Sequence, residues 1–406
     1  MKYSSVLLAS LLLAPIAVQA ESESQDKSVS QAASSQQAQL VSQSSKQARM
    51  VASAKQCQWP MWQSFKKNYV QNGRVIDSSD PRSITTSEGQ SYGLFFALIA
   101  NDQKAFEQML NWTEKNLSGG DLTARLPAWL WGTLPSDEQG VLDTNTASDS
   151  DLWIAYSLVE AGRLWNNYYY QTLGHSLAAR ILKEETAHVD NYGTVLLPGR
   201  TGFVLGDNHV RLNPSYVPLQ LLVRMQDLYP DYQWKDLITS SNKLLLESMP
   251  EGFSPDWVEM TPMGIQTDDA TQGVGSYNAI RTYLWVGMLP ENSPYKKALI
   301  STMQPLVDVL KKTNAMPETF DTIAGSYKGN AGVGLTAAVI PLLQASGQTE
   351  LAQQFASRTK DNLSSIEKGS YYQSVLTLFA QGWHNGRYQF DATGKVTPDW
   401  VASCQK

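Results

Sequence analysis

The chain has 406 residues, of which 42% are hydrophobic and 17% are charged, and its formal net charge is −6. A chain of this length can bury a large core, and a negative net charge without any run of basic residues argues against nucleic-acid binding. Beyond the N-terminal segment no apolar stretch is long enough to cross a bilayer, so we expect no membrane span in the mature chain.

The first 54 residues are expected to lie outside the folded domain. An apolar run at 6–18, followed by small residues, is typical of a secretory signal peptide cleaved after position 20. Ser, Gln and Ala supply 23 of the 34 residues at 21–54, and such a segment cannot bury enough apolar surface to become ordered. We therefore predict a signal peptide at 1–20, a flexible tether at 21–54 and one domain at 55–406, located in the periplasm or secreted.

Most of the predicted domain shows helical periodicity, with apolar residues recurring at intervals of three and four. This pattern occurs at 92–100, 106–112, 152–165, 216–229, 237–249, 279–288, 295–310, 335–345 and 371–380. Strand-like alternation is short, at 193–197 and 388–390. No repeat of fixed period is present, so a solenoid is not favoured. We predict about ten to twelve helices, with functional loops at one end of the scaffold.

Three acidic residues stand where helical patterns begin. Glu88 follows Thr-Thr-Ser, and Asp149 and Asp151 are two residues apart directly after Ser148. One interpretation is structural, because an acid in the first turn of a helix stabilises it through the helix dipole. The other is acid/base catalysis, since the apolar neighbours of Glu88 would raise the pKa of its carboxyl group. Two carboxylates in one turn also repel each other, so a buried one needs hydrogen bonds or a proton.

Aromatic residues in loops are a second candidate feature. Trp129, Trp131, Trp257 and Tyr277 lie beside Gly, Pro or polar residues rather than within apolar runs. Such rings can stack on the apolar faces of sugars while polar neighbours bind the hydroxyl groups, as in a polysaccharide groove. The alternative is that these rings belong to the core, where aromatic residues are mostly buried.

The sequence contains no metal or cofactor motif. Its four histidines are dispersed without ligand spacing, and neither a phosphate-binding glycine loop nor a Gly-x-Ser-x-Gly elbow occurs. We therefore expect neither a metal nor a cofactor. The two cysteines, Cys57 and Cys404, bracket the predicted domain, and export favours a disulfide between them over two separate thiols.

The stretch at 147–165 closely resembles the signature of glycoside hydrolase family 8, in which Ala-Ser-Asp-small-Asp is followed by Ile-Ala and Ser-Leu. Four further stretches match the same family in the same order, at 85–93, 125–132, 213–216 and 252–257. Within the family, the likeness is to the periplasmic endoglucanases associated with bacterial cellulose synthesis. One small departure is the serine between the two signature acids, where Ala or Gly is usual.

The resemblance implies an all-α fold, an (α/α)6 barrel with an open substrate groove at one end and minor short strands. It also implies endo-acting, inverting hydrolysis of β-1,4-glucan, with an acid and a base roughly 6.5–9.5 Å apart. Glu88 would be the general acid, and Asp149 would stabilise the distorted sugar. The implied partners are β-1,4-glucan and a cellulose synthase secretion complex. The residues implied in substrate binding are Trp129, Trp131, Asp151, Tyr216, Trp257, Tyr277, Asn278 and Arg281.

One larger departure concerns the general base. Where cellulases of the family carry Tyr-Asp-Ala-x-Arg, with the Asp as the expected base, this chain reads Tyr-Asn-Ala-Ile-Arg at 277–281. An amide cannot usefully accept a proton near neutral pH. The candidate replacements are Asp268, Asp269, Asp256 and Asp149 itself. The alternative functions are a glucan-binding protein with little or no turnover, or a hydrolase of another β-1,4-polymer such as chitosan or xylan.

Overall fold

The computed structural model describes residues 58–360 and 370–403. The predicted signal peptide, the tether and the proposed Cys57–Cys404 disulfide lie outside the described residues. The elements described below belong to one compact unit, Trp59–Lys406. No helix among the described residues is both long and apolar enough to span a membrane.

Helices dominate the described part of the chain. In chain order they are α1 (Pro60–Tyr69), α2 (Ser87–Ile99), α3 (Gln103–Leu117), α4 (Ser148–Leu164), α5 (Tyr168–Glu184), α6 (Leu219–Leu228), α7 (Trp234–Glu247), α8 (Ile280–Gly287), α9 (Lys296–Thr302), α10 (Gln304–Thr313), α11 (Val333–Ala338), α12 (Ile340–Ala345), α13 (Thr349–Lys360), α14 (Tyr371–His384) and α15 (Trp400–Ser403). A short 3-10 helix, Pro214–Tyr216, precedes α6.

The helices alternate between an inner and an outer layer. Almost every residue of α2, α4 and α8 is buried, whereas α3, α5 and α13 bury one face and expose the other. A helix that is buried all round lies in the interior, and an amphipathic helix covers it. Six inner and six outer positions around one axis make an (α/α)6 barrel, as the resemblance implied.

The described residues form fifteen α-helices, more than the ten to twelve expected: α1, α5, α13 and α15 match none of the nine apolar patterns, and two prolines add two helices by dividing others. The apolar patterns at 295–310 and 335–345 each predict one helix, but the chain breaks them into α9 with α10 and α11 with α12. Pro305 and Pro341 stand at the start of the second helix of each pair. Proline lacks an N–H donor and clashes with the preceding turn, so it interrupts a continuous helix.

Four aromatic side chains from four inner helices form a closed ring in the core. Phe95 lies 4.8 Å from Trp153, Trp153 lies 5.2 Å from Trp285, and Trp285 lies 5.0 Å from Phe379, measured between ring centroids. Phe379 returns to Phe95 at 5.5 Å. These rings hold α2, α4, α8 and α14 against one another, and the inner helices carry the residues of the candidate site.

Truncation of this ring is expected to destabilise the barrel strongly. Trp153→Ala should lower the free energy of unfolding by about 3–5 kcal/mol, because a fully buried indole is replaced by a cavity. The control is Tyr168→Ala, since Tyr168 is 80% exposed and its truncation should change stability by about 0.5 kcal/mol or less. Urea unfolding measures both values, and a loss below about 1 kcal/mol for Trp153→Ala would contradict the prediction.

Short strands occupy the connections. They are β1 (Val70–Gln71), β2 (Arg74–Val75), β3 (Thr85–Thr86), β4 (Leu130–Thr133), β5 (Gln139–Asp143), β6 (Thr186–Val189), β7 (Gly193–Leu196), β8 (Val204–Gly206), β9 (His209–Leu212), β10 (Val258–Thr261), β11 (Gly264–Thr267), β12 (Val274–Gly275), β13 (Thr319–Asp321), β14 (Ser326–Lys328), β15 (Tyr388–Phe390) and β16 (Val396–Pro398). β7 and β15 confirm the two strands expected from the sequence.

All the strand pairs are antiparallel, and the larger sheets have the orders β11-β10-β9-β8, β3-β4-β5 and β12-β13-β14. Nearly all strands lie between the end of an outer helix and the start of the next inner helix. The long loops therefore gather at the end of the barrel where the inner helices begin.

Candidate active site

Glu88 lies in the first turn of α2, at the loop-rich end of the barrel. The N-cap Thr86 accepts a hydrogen bond from the backbone N–H of Gly89 through its hydroxyl oxygen at 3.0 Å, which fixes where the helix begins. The side chain of Glu88 is 20% exposed. Its carboxyl group is therefore mostly shielded from water but still partly accessible.

Asp149 occupies the corresponding position on α4. The residue is 3% exposed, and its Oδ1 accepts a hydrogen bond from the backbone N–H of Ser150 at 2.7 Å. Its Oδ2 accepts one from the Arg281 guanidinium at 3.0 Å. Both oxygens of Asp149 are therefore engaged.

Arg281, in the first turn of α8, links these two acids. Its Nη1 donates to Glu88 Oε2, to Asp149 Oδ2 and, at 3.2 Å, to the Tyr92 hydroxyl. Its Nη2 donates to Asn278 Oδ1 at 3.0 Å. The starts of three inner helices therefore converge on one buried guanidinium.

Tyr216 completes the surroundings of this guanidinium. The Arg281 guanidinium lies 5.4 Å from the centroid of the Tyr216 ring, within the range of a cation–π contact. Tyr216 belongs to the 3-10 helix before α6. The segment leading into a further inner helix, α6, thus contacts the cluster formed by Glu88, Asp149 and Arg281.

Burial and the Arg281 charge act in opposite directions on the pKa values of both acids of the cluster. Burial raises the pKa of Glu88 to about 7, with the charge of Arg281 opposing the rise and the charge of Asp149 adding to it. Burial also raises the pKa of Asp149, against the effects of Arg281 and of the Ser150 hydrogen bonds. A carboxyl group that keeps its proton near neutral pH can serve as a general acid.

Asp256 lies beside Asn278, the residue that stands where a base was expected. Its Oδ1 accepts backbone hydrogen bonds from Ser276, Asn278 and Ala279 at 2.9, 3.0 and 2.7 Å. Burial raises its pKa, while these hydrogen bonds lower it. Its Oδ2 receives no hydrogen bond from the described residues and is not buried, so that oxygen remains available to a ligand or to water.

The other two proposed bases lie in different surroundings. Asp268 is 1% exposed and accepts two hydrogen bonds from Arg211, at 2.6 and 3.1 Å. Although burial opposes it, the hydrogen bonds from Arg211 and Thr271 lower the pKa of Asp268. Asp269 is exposed, and its backbone N–H donates to Glu259 at 3.2 Å. Neither carboxyl group hydrogen-bonds to the Glu88–Asp149–Arg281 cluster in the part of the chain that the structure describes.

The loop aromatics are at least partly accessible. Trp129 and Trp131 are half-buried, and the backbone oxygen of Trp129 accepts from the N–H of Ser87 at 2.9 Å, directly beside Glu88. The ring of Trp131 packs edge-on against Trp112 at 5.6 Å. Neither indole is enclosed in the core.

Trp257 and Tyr277 lie near residues that contact Arg281. Trp257 is half-buried, 6.2 Å from the Tyr216 ring, with the Arg211 guanidinium 4.2 Å from its own centroid. Tyr277 is 47% exposed, and its backbone oxygen accepts from the Tyr372 hydroxyl at 2.6 Å. Aromatic rings of partial exposure thus lie next to Tyr216 and Asn278, close to the cluster.

The structure corrects the role expected for Asp151. Its side chain is 0% exposed and faces Glu185 rather than the barrel opening. A sugar bound at the loop-rich end cannot touch a carboxyl group that is fully enclosed. Asp151 is therefore not positioned for direct contact with substrate.

Sequence reasoning missed Tyr371, Tyr372 and Glu185. Tyr371 and Tyr372 begin α14, and Tyr371 lies against Gly89 in the first turn of α2, where a Cβ on Gly89 would stand 3.1 Å from the tyrosine hydroxyl. Glu185 is the C-cap residue of α5 and is fully buried. Nothing in the local sequence distinguishes these residues, because their partners are distant along the chain.

Among the described residues, no group of three or more His, Cys, Asp or Glu side chains has an arrangement that could hold a metal ion.

An (α/α)6 barrel that gathers two carboxyl groups and an arginine where its inner helices begin, between partly exposed loop aromatics, has the architecture of a carbohydrate-active enzyme. Comparison with known proteins agrees: the family described as glycosyl hydrolases family 8 matches residues 41–386. The chain belongs to this family and is a glycoside hydrolase.

Individual relatives match over most of their length. The chain is 45% identical to an endoglucanase of Escherichia coli O157:H7, over 86% of this chain and 93% of the relative. It is 41% identical to an endoglucanase of Xanthomonas axonopodis pv. citri (strain 306), over 87% and 92%. Among solved structures, an endo-1,4-D-glucanase from Vibrio fischeri ES114 is 58% identical with a TM-score of 0.83, covering 85% of this chain and 100% of that one.

Proposed function

We propose that this protein is an exported endo-β-1,4-glucanase that cleaves its polymer with inversion and uses Glu88 as the general acid. The observation that carries the proposal is the Glu88–Asp149–Arg281 cluster, in which burial leaves Glu88 with a pKa of about 7. Three similar proteins described as endoglucanases or as an endo-1,4-D-glucanase support the substrate class. Glucan is the proposed ligand of the loop aromatics.

In this proposal, Glu88 donates its proton to the glycosidic oxygen as the bond to the anomeric carbon breaks. Asp149, paired with Arg281, stabilises positive charge as it develops on the sugar ring. Arg281 also holds Asn278 in a fixed orientation, through the 3.0 Å hydrogen bond to Oδ1. The amide N–H groups of Asn278 are then free to orient the attacking water.

Asp256 is the base that we favour for that water. Three backbone N–H groups hold its Oδ1 in place beside Asn278, and its Oδ2 is free. Asp149 fits the task less well because both of its oxygens already accept hydrogen bonds. Asp268 is engaged by Arg211, and a carboxylate held in an ion pair is a weaker base.

The test is hydrolysis of soluble carboxymethyl-cellulose by purified wild-type protein, beside chitosan and xylan as competing substrates. Viscosity should fall faster than reducing ends appear, as expected when a chain is cut internally. Proton NMR early in the reaction on a cello-oligosaccharide should show the α-anomer, the product of inversion at a β-linkage. Cleavage of chitosan or xylan alone would show that the substrate is that polymer and not β-1,4-glucan. Binding of glucan without cleavage would favour a glucan-binding protein.

In a plot of activity against pH, the fall on the alkaline side should report loss of the proton from Glu88. The pKa of Glu88 lies at about 7, and only its protonated form can donate, so activity should be full well below pH 7 and fall as pH rises through it. The measurement is kcat/KM across the pH range, which reports the ionisations of the free enzyme. A rate that stays constant up to about pH 9 would contradict this assignment.

We further propose that residues 1–20 direct export and are removed, and that 21–54 tether the catalytic domain at 55–406 near a cellulose synthase secretion complex. A role in cellulose biosynthesis follows from this placement. Cell fractionation should find the mature chain in the periplasm or the medium, starting at residue 21 by mass spectrometry. The same spectra, taken before and after reduction, would show whether Cys57 and Cys404 are paired.

A further inference from the structure

Two carboxyl groups face each other directly behind Asp149. Asp151 and Glu185 are each 0% exposed, and their side chains lie within hydrogen-bonding range of each other. Asp151 belongs to the same first turn of α4 as Asp149, whereas Glu185 follows the end of α5. The proposed reaction uses neither group, and neither can touch a substrate.

Ionising both carboxyl groups of this pair would be unfavourable in free energy. No N–H or O–H group among the described residues donates to either oxygen of Asp151 or to Oε2 of Glu185. Two facing carboxylates would leave these acceptors unsatisfied and repelling each other in the core. A single proton between them removes one charge and supplies the missing donor. Burial, followed by the charge of the partner, raises the pKa of Asp151, and burial raises that of Glu185 to about 8.

The pair is also bonded to the segment that leads into Asp149. The Thr146 hydroxyl donates to Glu185 Oε1 at 2.5 Å, and the same hydroxyl oxygen accepts from the backbone N–H of Arg200 at 3.0 Å. Two residues later, the N–H of Ser148 donates to the oxygen of Pro198 at 3.0 Å. Glu185 therefore contacts the chain both before Asp149, at Thr146, and after it, at Asp151. The segment after Glu185 adds backbone hydrogen bonds to Thr146 and Ser148.

We propose that Asp151 and Glu185 share one proton and act as positioning residues, fixing the first turn of α4 so that Asp149 faces Arg281. The catalytic part of this proposal rests on the proposed glucanase function. Two further acids, Asp149 and Glu184, raise the pKa values of the pair and favour retention of the shared proton. Each of them is itself paired with arginine, Asp149 with Arg281 and Glu184 with Arg180 and Arg200. Apolar side chains would usually fill such a buried space with greater stability than a pair of acids. A role in positioning Asp149 would explain why the acids are there.

The activity test compares two substitutions of Asp151. Asp151→Asn keeps the shape and supplies a permanent N–H donor to Glu185, so kcat should stay near the wild-type value. Asp151→Leu removes the hydrogen bond, and kcat should fall by about 100-fold, as expected for a shift of about 1 Å in a reacting group, with KM little changed. A crystal structure of Asp151→Leu should show Asp149 displaced from its 3.0 Å contact with Arg281.

The matched control is Glu160→Gln. Glu160 is also fully buried on α4, but it pairs with Arg224 at the far end of the helix. Its substitution should lower the free energy of unfolding and leave kcat unchanged, which separates lost stability from lost positioning. Wild-type kcat in Asp151→Leu, or a large loss in Asp151→Asn, would overturn the proposal.

A second experiment tests the shared proton without any substrate. The folded pair keeps a proton that the unfolded chain releases above about pH 5, so the pair loses stability as pH rises toward 8. Urea unfolding at several pH values should therefore show a steeper loss for the wild type than for Asp151→Asn. Equal slopes would overturn the shared proton even if the protein is an active glucanase. If the wild type does not cleave glucan, the unfolding slopes and the Asp151→Leu structure still decide the inference.

Discussion

Replacing Glu88 with Gln is expected to lower kcat on soluble β-1,4-glucan by about 10³- to 10⁴-fold, the upper part of the range for loss of a general acid. Gln has the shape of Glu, and its carbonyl oxygen can still accept the hydrogen bond from Arg281. An amide cannot give up a proton to the departing oxygen, so the geometry is preserved while the chemical step is lost. Release of reducing ends from carboxymethyl-cellulose measures the change.

Two further observations make this result interpretable. KM or oligosaccharide affinity should change little, since the Glu88 side chain is only 20% exposed and is assigned to the reaction rather than to binding. A substrate that needs no acid assistance, such as an aryl cellobioside with a good leaving group, should lose far less activity. A variant that keeps more than about a tenth of the wild-type rate on the polymer would exclude Glu88 as the acid.

Replacing Asp256 with Asn is expected to have the second-largest effect, a fall in kcat of about 10²- to 10³-fold. The amide keeps an oxygen to accept the three backbone hydrogen bonds that hold Asp256, but it cannot take a proton from water. Small anionic nucleophiles such as azide need no base, so they should restore turnover and form an α-glycosyl azide. Azide without effect on a slow variant would show that the lost group has another role.

The neighbouring acids supply the controls for this prediction. Asp269→Asn should keep the wild-type rate, because Asp269 is exposed and its carboxyl group is away from the cluster in the described structure. Asn278→Asp returns the acid expected from the family pattern, and it should change the rate by less than about tenfold if Asp256 already serves as base. A large rise from a very slow wild type would instead mean that the base was lost, as in the binding-protein alternative.

The comparison of sequence and structure is clearest at the acids. Glu88 and Asp149 could be chosen from the sequence because each opens a helical pattern, and an acid at that point is both a local signal and part of a family motif. The four candidate bases looked alike in the sequence. Asp256 and Asp268 differ only through their partners, backbone N–H groups in one case and Arg211 in the other, and those partners are fixed by the fold.

Asp151 is a case in which the sequence suggested a role that the fold does not support. Its spacing from Asp149 suggested a second acid in the groove, yet the turn of α4 directs it to Glu185, 34 residues along the chain and invisible to any local pattern. Most of the short strands were missed for a related reason. Segments of two to five residues in loops carry too few positions to show a period of two.

The sequence by itself indicated a mainly helical domain, most of its helices and two candidate acids at helix starts, because apolar periodicity and helix-start residues act over a few positions; the barrel itself followed from the resemblance to the family. Only the tertiary structure decided which charges meet. Arg281 joins Glu88 and Asp149 across 193 and 132 residues of chain, and burial there raises the pKa values of both acids. Burial and long-range pairing depend on the packed barrel, so the chemistry of the site follows from the fold.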